Sequence, residues 1–219
     1  MSKSKEGIIF RLVDRMNRSG DYSNPHEIRS NVRELLEDAA SDFIDLLEIP
    51  SRGVDIGSGR GELSKILKPR VTSNLDIHFP ADCPQPRIHA SAEDLPFDSN
   101  SLDYALFFYV LHHIEDPRQA VSESVRVLKR GGILVTMLET LRFPGQSRLL
   151  GLNERLMEGI LNRDDADYTG HEKYFTKREF EQLTRDMGLK LLSKRKIEPY
   201  KGLTRIIKPK KTLYVMEKR

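Results

Sequence analysis

A chain of 219 residues with 38% apolar and 32% charged residues is long enough for one domain with a buried core, and is composed like a soluble globular protein. Its longest apolar runs, such as Ala105 to Leu111, are too short for a membrane span, MSKSKEGIIF lacks the apolar segment of a secretory leader, and the single Cys83 excludes an internal disulfide, so a cytoplasmic address is expected. The formal charge of +3 hides an asymmetry: from Lys190 onward eleven Lys/Arg face two acids, a local +9, against −6 for the first 189 residues.

In chain order, Met1 to Gly20 has weak ordering signals. NPHEIRSNVRELLEDAASDFIDLLEI then places Ile28, Val32, Leu35, Leu36, Ala39, Phe43, Leu46 and Leu47 at helical spacing, predicting one amphipathic helix that Pro50 and Ser51 end. Beyond it the pattern alternates. RGVDIG reads as a strand and GELSKILK as a short helix stopped by Pro69; VTSNLDI is a second strand and RIHA a third. Between these two strands HFPADCPQP holds three prolines and excludes a regular helix. SLDYALFF is apolar enough for a fourth strand buried on both faces. DPRQAVSESVRVLKRGG is a helix with Asp116 as N-cap, Pro117 in its first turn, and Gly131 and Gly132 as its stop, followed by ILVTML as a fifth strand. Residues 141–175 form an interruption with an amphipathic patch near Leu149 to Leu161. TKREFEQLTRDMGL is a helix opened by a capping box of Thr176 and Glu179, and KLLSKRKIE and TLYVMEKR close the chain as two antiparallel strands. This order predicts an α/β fold: a Rossmann-like, doubly wound sheet of about seven strands, mostly parallel with an antiparallel C-terminal strand, and helices on both faces. Residues 1–50 are a helical cap and 51–219 the main domain, compact as a whole.

The most informative stretch is SRGVDIGSGRGELSKIL. Gly57, Gly59 and Gly61 follow a strand and open a helix, so backbone N–H groups can approach a ligand directly. A dinucleotide fingerprint would want a sixth-position glycine where Glu62 stands, and a phosphate-gripping loop would want a lysine. Asp55, two residues before Gly57, suits a ligand that carries an ammonium group. A tight structural turn would read the same from the glycines alone. Asp76, nineteen residues after Gly57 at the end of the second strand, is placed to accept hydrogen bonds from both hydroxyls of a ribose.

Together with AEDLPF, SLDYALFFYVLHHIEDP and VRVLKRGGILV, these segments resemble class I S-adenosylmethionine-dependent methyltransferases, of the broad type that includes small-molecule and ubiquinone-pathway methylases, over about Val54 to Leu138. HEKYFTKREFEQLTRDMGLKLL is a weaker echo. The resemblance implies S-adenosyl-L-methionine as cofactor and S-adenosyl-L-homocysteine as product. It implies that Gly57, Gly59 and Gly61 lie along the methionine portion, that Asp55 supports its amino group and Asp76 takes the ribose, and that Ile77, Ala92 and Glu93 border the adenine. Phe108, Tyr109 and Val110 would then lie near the sulfonium, where an aromatic ring suits a cation. Ser91 stands where relatives often have an aspartate for the adenine amino group, and the proline-rich HFPADCPQP stands where they usually have a helix.

Displacement at a sulfonium needs positioning more than a dedicated catalytic group, and a base helps only when the acceptor must lose a proton. His112, His113, His171 and Tyr109 are the candidates, with a structural histidine pair an equal reading of His112–His113. No cluster has metal-ligand spacing, so no metal is expected. The loop after the fourth strand, FYVLHH, lacks the N/D-P-P-Y/F of exocyclic-amine methylases, which leaves small-molecule O-, N- or C-acceptors and some RNA sites. The expectation is a methyltransferase for a small molecule, its acceptor pocket built from residues 1–50 and 141–175. The alternatives are an RNA (tRNA) methyltransferase that uses the basic C-terminal segment, and a non-catalytic cofactor-binding regulator. That basic segment reads equally as the solvated face of edge strands, where lysines discourage strand pairing. Oligomeric state is open.

Overall fold

The computed structural model describes residues 25–48, 51–68, 70, 73–79, 81, 83–140, 175–197 and 210–219. Its elements are α1 (Pro25–Ala40), a 3-10 turn (Ile44–Leu46), β1 (Gly53–Ile56), α2 (Glu62–Leu67), β2 (Ser73–Asp76), β3 (Arg87–His89), β4 (Leu102–Phe108), a second 3-10 turn (Leu111–His113), α3 (Pro117–Val127), β5 (Leu128–Thr140), α4 (Lys177–Asp186), β6 (Leu189–Ile197) and β7 (Lys210–Lys218). The strands form one seven-stranded sheet in the order β3-β2-β1-β4-β5-β7-β6. Pairing is parallel from β3 through β5 and antiparallel for β5–β7 and β6–β7.

Alternation along the strands divides the core into two faces. Val54, Ile56, Ala105, Phe107 and Leu134 pack with Ala120 and Val121 of α3 and Phe180 and Leu183 of α4. Tyr104, Leu106, Phe108, Val135 and Met137 pack with Leu36, Ala39 and Phe43 from the N-terminal segment and Leu63 and Leu67 of α2. Within the described part of the cap, residues 25–48, the stretch from Leu36 to Leu47 thus contributes to one of the two main core faces. The caps expected at α3 and α4 are present: Asp116 accepts from the backbone of Arg118 and Gln119, and Thr176 and Glu179 close a capping box.

Two boundaries differ from expectation. The N-terminal helix stops at Ala40 instead of continuing to residue 49, because the Ser41 hydroxyl turns back onto Asp38 O at 2.6 Å. Phe43 and Leu47 still reach the core, whereas Leu46 is exposed. The helix expected to run to Gly131 stops at Val127. Leu128 is extended and pairs with Leu102, so LKRGG belongs to β5, whose backbone bends at Gly131 with φ +78°. Residues 1–24 and 141–174, including His171 and most of the expected insertion, lie outside the described residues.

Candidate functional site

Strand order reverses between β1 and β4, and in an open α/β sheet a crevice forms at the carboxyl ends of strands flanking such a point. Here it is a cavity of about 490 Å³, within the range of small-molecule sites. Gly57 at the end of β1, Asp76 and Ile77 at the end of β2, Ser91, Ala92 and Glu93 after β3, and Tyr109, Val110 and His113 after β4 border it.

The glycine turn is held by backbone bonds. The N–H groups of Gly57 and Ser58 donate to Leu75 O at 2.7 and 3.2 Å. Gly57 has φ +66°, and a Cβ there would stand 2.2 Å from Cγ2 of Val110. Glycine is therefore required twice, for its backbone angle and for the close approach of the loop after β4. Gly61, also at φ +66°, has no space for a Cβ because Pro84 Cδ would lie 2.6 Å away.

Asp76 is fixed by two backbone donors, Gly59 N at 2.8 Å on Oδ2 and His78 N at 3.1 Å on Oδ1. Each carboxylate oxygen keeps a further lone pair, so the group can still accept from a vicinal diol. Ile77 is 77% exposed, a large apolar side chain left open to the cavity beside a polar acceptor. Glu93 turns away: its carboxylate accepts from Asp116 N at 2.5 Å and its carbonyl from the Gln119 amide at 3.3 Å.

Asp55 lies behind the cavity, 2% exposed on the α2 side of β1. Burial, opposed by the Ser64 hydroxyl and reinforced by the nearby charge of Asp76, pushes its pKa up to about 7. Of the other residues singled out in the sequence, Phe108 packs on Phe43 with ring centroids 5.9 Å apart, inside the core. Tyr109 borders the cavity in a left-handed conformation, φ +58°, and Lys211 Nζ sits 3.9 Å from its ring centroid. One face of that ring therefore already meets a cation, which weakens its attraction for a second one. His112 is buried, His113 is exposed and borders the cavity, and their ring centroids lie 4.0 Å apart with the planes tilted by 45°. Leu75, Ala90, Val110 and Ile114 are apolar wall residues not selected from sequence as cofactor contacts on their own chemistry; only Val110 was placed near the site, through the resemblance. Ser64, which meets Asp55, and Asn74, which meets Ser64, were also missed. Polar neighbours, Glu62 and Lys65 on the helix and Ser73 and Asp76 on the strand, left no sequence signal that singles them out.

The chemistry of this cavity fits a nucleoside joined to an amino acid. An acceptor carboxylate able to take the hydroxyls of a diol borders it, apolar walls adjoin it, and a bare main-chain turn leads to a buried acid. Among the described residues there is no group of three potential metal ligands.

A family model described as a methyltransferase domain matches residues 54–136. An uncharacterized protein of Methanocaldococcus jannaschii is 33% identical over 100 residues, which is 43% of this chain and 48% of that protein. A ubiquinone/menaquinone biosynthesis C-methyltransferase of Campylobacter jejuni is 28% identical over 151 residues, 64% of this chain and 58% of that protein. The chain spans about half the length of the curated relatives it matches. The solved structure of 1,6-didemethyltoxoflavin-N1-methyltransferase from Burkholderia thailandensis, with 1,6-didemethyltoxoflavin and S-adenosylhomocysteine bound, superposes with TM-score 0.62 at 13% identity over 95% of this chain and 88% of that one. At that identity the likeness is one of fold.

Proposed function

We propose that this chain, whose residues 54–136 match a methyltransferase-domain model, binds S-adenosylmethionine in the cavity at the carboxyl ends of β1, β2 and β4 and directs its methyl group to a small-molecule acceptor. The observation that carries this reading is Asp76 held by the glycine turn, with Gly57 and Asp76 together at one cavity and Ile77 and Ala92 as its apolar border. When bound, the cofactor supplies an electrophilic methyl on a positively charged sulfur, with a good leaving group already in place. The protein's task is then to bind, orient and exclude water.

Asp76 accepts the ribose hydroxyls on oxygens whose directions the Gly59 and His78 N–H groups fix. Ile77 and Ala92 border the adenine, and Asp55 supports the amino-acid end from behind the turn. Where an acceptor must lose a proton, His113 is the histidine at the cavity border, whereas His112 is buried. The C-methyltransferase similarity makes carbon acceptors such as quinols the first class to screen.

Calorimetry with S-adenosylhomocysteine tests the reading. Binding by the intact chain is expected, with an affinity loss of about 10- to 100-fold in Asp76→Ala, the size of losing hydrogen bonds to a charged group. No binding by the intact chain, or unchanged affinity in the variant, refutes it. Turnover of labelled cofactor against a metabolite set separates an enzyme from a non-catalytic binder.

A further inference from the structure

Behind the glycine turn, three side chains from three elements meet. Asp55 comes from β1, Ser64 from α2 and Asn74 from β2, and all three are buried. The orientation of the Asn74 amide follows from its partners. Its nitrogen donates to Pro84 O at 3.2 Å and Pro86 O at 3.4 Å, and carbonyl oxygens can only accept. Asn74 Oδ1 therefore faces the Ser64 hydroxyl and must accept from it. That hydroxyl also lies 3.3 Å from Asp55 Oδ2. Two acceptors thus compete for one hydroxyl proton. If Ser64 gave it to Asp55, the Ser64 and Asn74 oxygens would meet without a proton between them, at the closest contact of the cluster. If Ser64 gives it to Asn74, Asp55 completes the chain only by carrying a proton itself and donating to Ser64 Oγ.

We propose that Asp55 is protonated in the ligand-free protein because Asn74 engages the Ser64 proton, and that a ligand bearing an ammonium group drives the Asp55 proton out. On this account Ser64 and Asn74 are positioning residues: they decide the charge that Asp55 presents to the amino-acid end of the cofactor. The inference rests on the S-adenosylmethionine reading for its ligand and on the cluster alone for its proton. The step balances simply. A carboxylic acid and an ammonium ligand become a carboxylate–ammonium pair, and one proton passes to solvent.

The surroundings agree. Burial raises the Asp55 pKa to about 7 and the Asp76 charge on β2 adds to it, whereas a Ser64 hydroxyl turned to the carboxylate opposes the rise, which is the orientation that the Asn74 contact disfavours. Cys83, in the connection after β2, is held as a thiol by burial, and Arg87 on β3 and Lys65 on α2 act on that thiol. Replacing a proton by an ammonium therefore exchanges one neutralising partner for another, which burial favours over a bare carboxylate.

The test is calorimetry with S-adenosylhomocysteine on the full chain, in buffers of different ionisation enthalpy. Near pH 6 about one proton is expected to leave per ligand bound, falling towards none by about pH 8.5, with affinity rising about 10-fold per pH unit below the midpoint. Binding with no proton release at pH 6 overturns the proposal and leaves the proposed function standing. Absence of binding at every pH sinks the function reading instead, and a ligand-free ¹³C titration of the Asp55 carboxyl then decides the proton on its own. Carboxyl ionisation near its ordinary value in that titration also overturns the proposal. Ser64→Ala adds a sign. Losing the acceptor of the protonated form moves the Asp55 midpoint down, whereas a hydroxyl that donates to the carboxylate would, on removal, move it up. Ser64→Thr, which keeps the hydroxyl, is expected to restore the wild-type midpoint.

Discussion

Gly57 and Gly59 lie two residues apart with similar backbone angles, φ +66° and +50°, yet they should respond differently to a methyl group. At Gly59 nothing stands within 4 Å of a new Cβ, so Gly59→Ala costs only backbone strain, about 1–2 kcal/mol. At Gly57 the same strain is joined by a contact of 2.2 Å with Val110. Gly57→Ala should therefore cost about 3 kcal/mol or more in urea unfolding, and Val110→Ala in the same chain should recover part of the excess. Equal losses at the two glycines would show that the turn yields at Gly57. Asp55 gives a residue-scale prediction in pH. Its folded pKa of about 7 exceeds the unfolded value of 3.8, so between them the folded chain holds the extra proton. Its contribution to stability is complete below about pH 4 and is lost as pH rises through about 7. Asp55→Asn keeps a donor towards Ser64 and cannot ionise. The stability of the variant relative to wild type should improve by an amount on the order of 4 kcal/mol between pH 4 and pH 8, and a flat difference would contradict it.

At the scale of elements, the border formed by residues 91–93 depends on α3. Arg126 donates to Leu95 O at 2.9 Å and Phe97 O at 2.8 Å, and pairs with Glu123, which accepts from Leu95 N at 2.9 Å. The guanidinium thus satisfies a loop with no regular structure of its own, and beside it the Glu123 pKa is held below its ordinary value. Arg126→Ala leaves two carbonyls and a largely buried carboxylate without it. A loss of about 2 kcal/mol in stability and a several-fold loss of S-adenosylhomocysteine affinity are expected together; stability loss with unchanged affinity would uncouple the loop from the site. This clamp shows what a linear reading can and cannot supply. Asp55, the glycines and Asp76 were legible because strand ends and turns impose residue types locally. The two capping motifs were legible for the same reason. The clamp joins residues 29 and 31 positions apart, and the Ser64–Asn74 contact bridges a helix and a strand, so spacing alone gave no sign of either. The misplaced end of α3 has a tertiary cause: Leu128 gains a ladder partner in Leu102, which local signals for a helix stop at Gly131 do not register. Phe108 was placed near the sulfonium by resemblance, but side-chain alternation on β4 turns it to the face where Phe43 waits.

For the whole molecule, the open question from sequence is what the basic C-terminal segment serves. Several of its cations have partners within the fold. Lys190 meets Glu217 at 3.4 Å, Lys194 meets Glu181 at 2.6 Å, and Lys218 binds Asn100 Oδ1 and Leu128 O. Arg195 on the edge strand reaches the N-terminal segment, pairing with Asp38 at 2.9 Å, with Asp38 O at 2.8 Å, and with Asp42. This contact joins residues more than 150 positions apart and ties the first described helix to the far edge of the sheet. Because the group is partly exposed, its worth is modest: Arg195→Ala should lower stability by about 1 kcal/mol, less at high salt. The same pairing bears on nucleic acid. A phosphate must first displace an internal acceptor from each of these four cations, a carboxylate for Lys190, Lys194 and Arg195 and amide or carbonyl oxygens for Lys218, so these four contribute few exchanged counterions on binding. Transfer RNA affinity measured between 50 and 200 mM salt is therefore expected to be weak, with a shallow logarithmic slope of magnitude below about 2. A steep slope would require cations other than these four, and would move the acceptor from a small molecule to RNA.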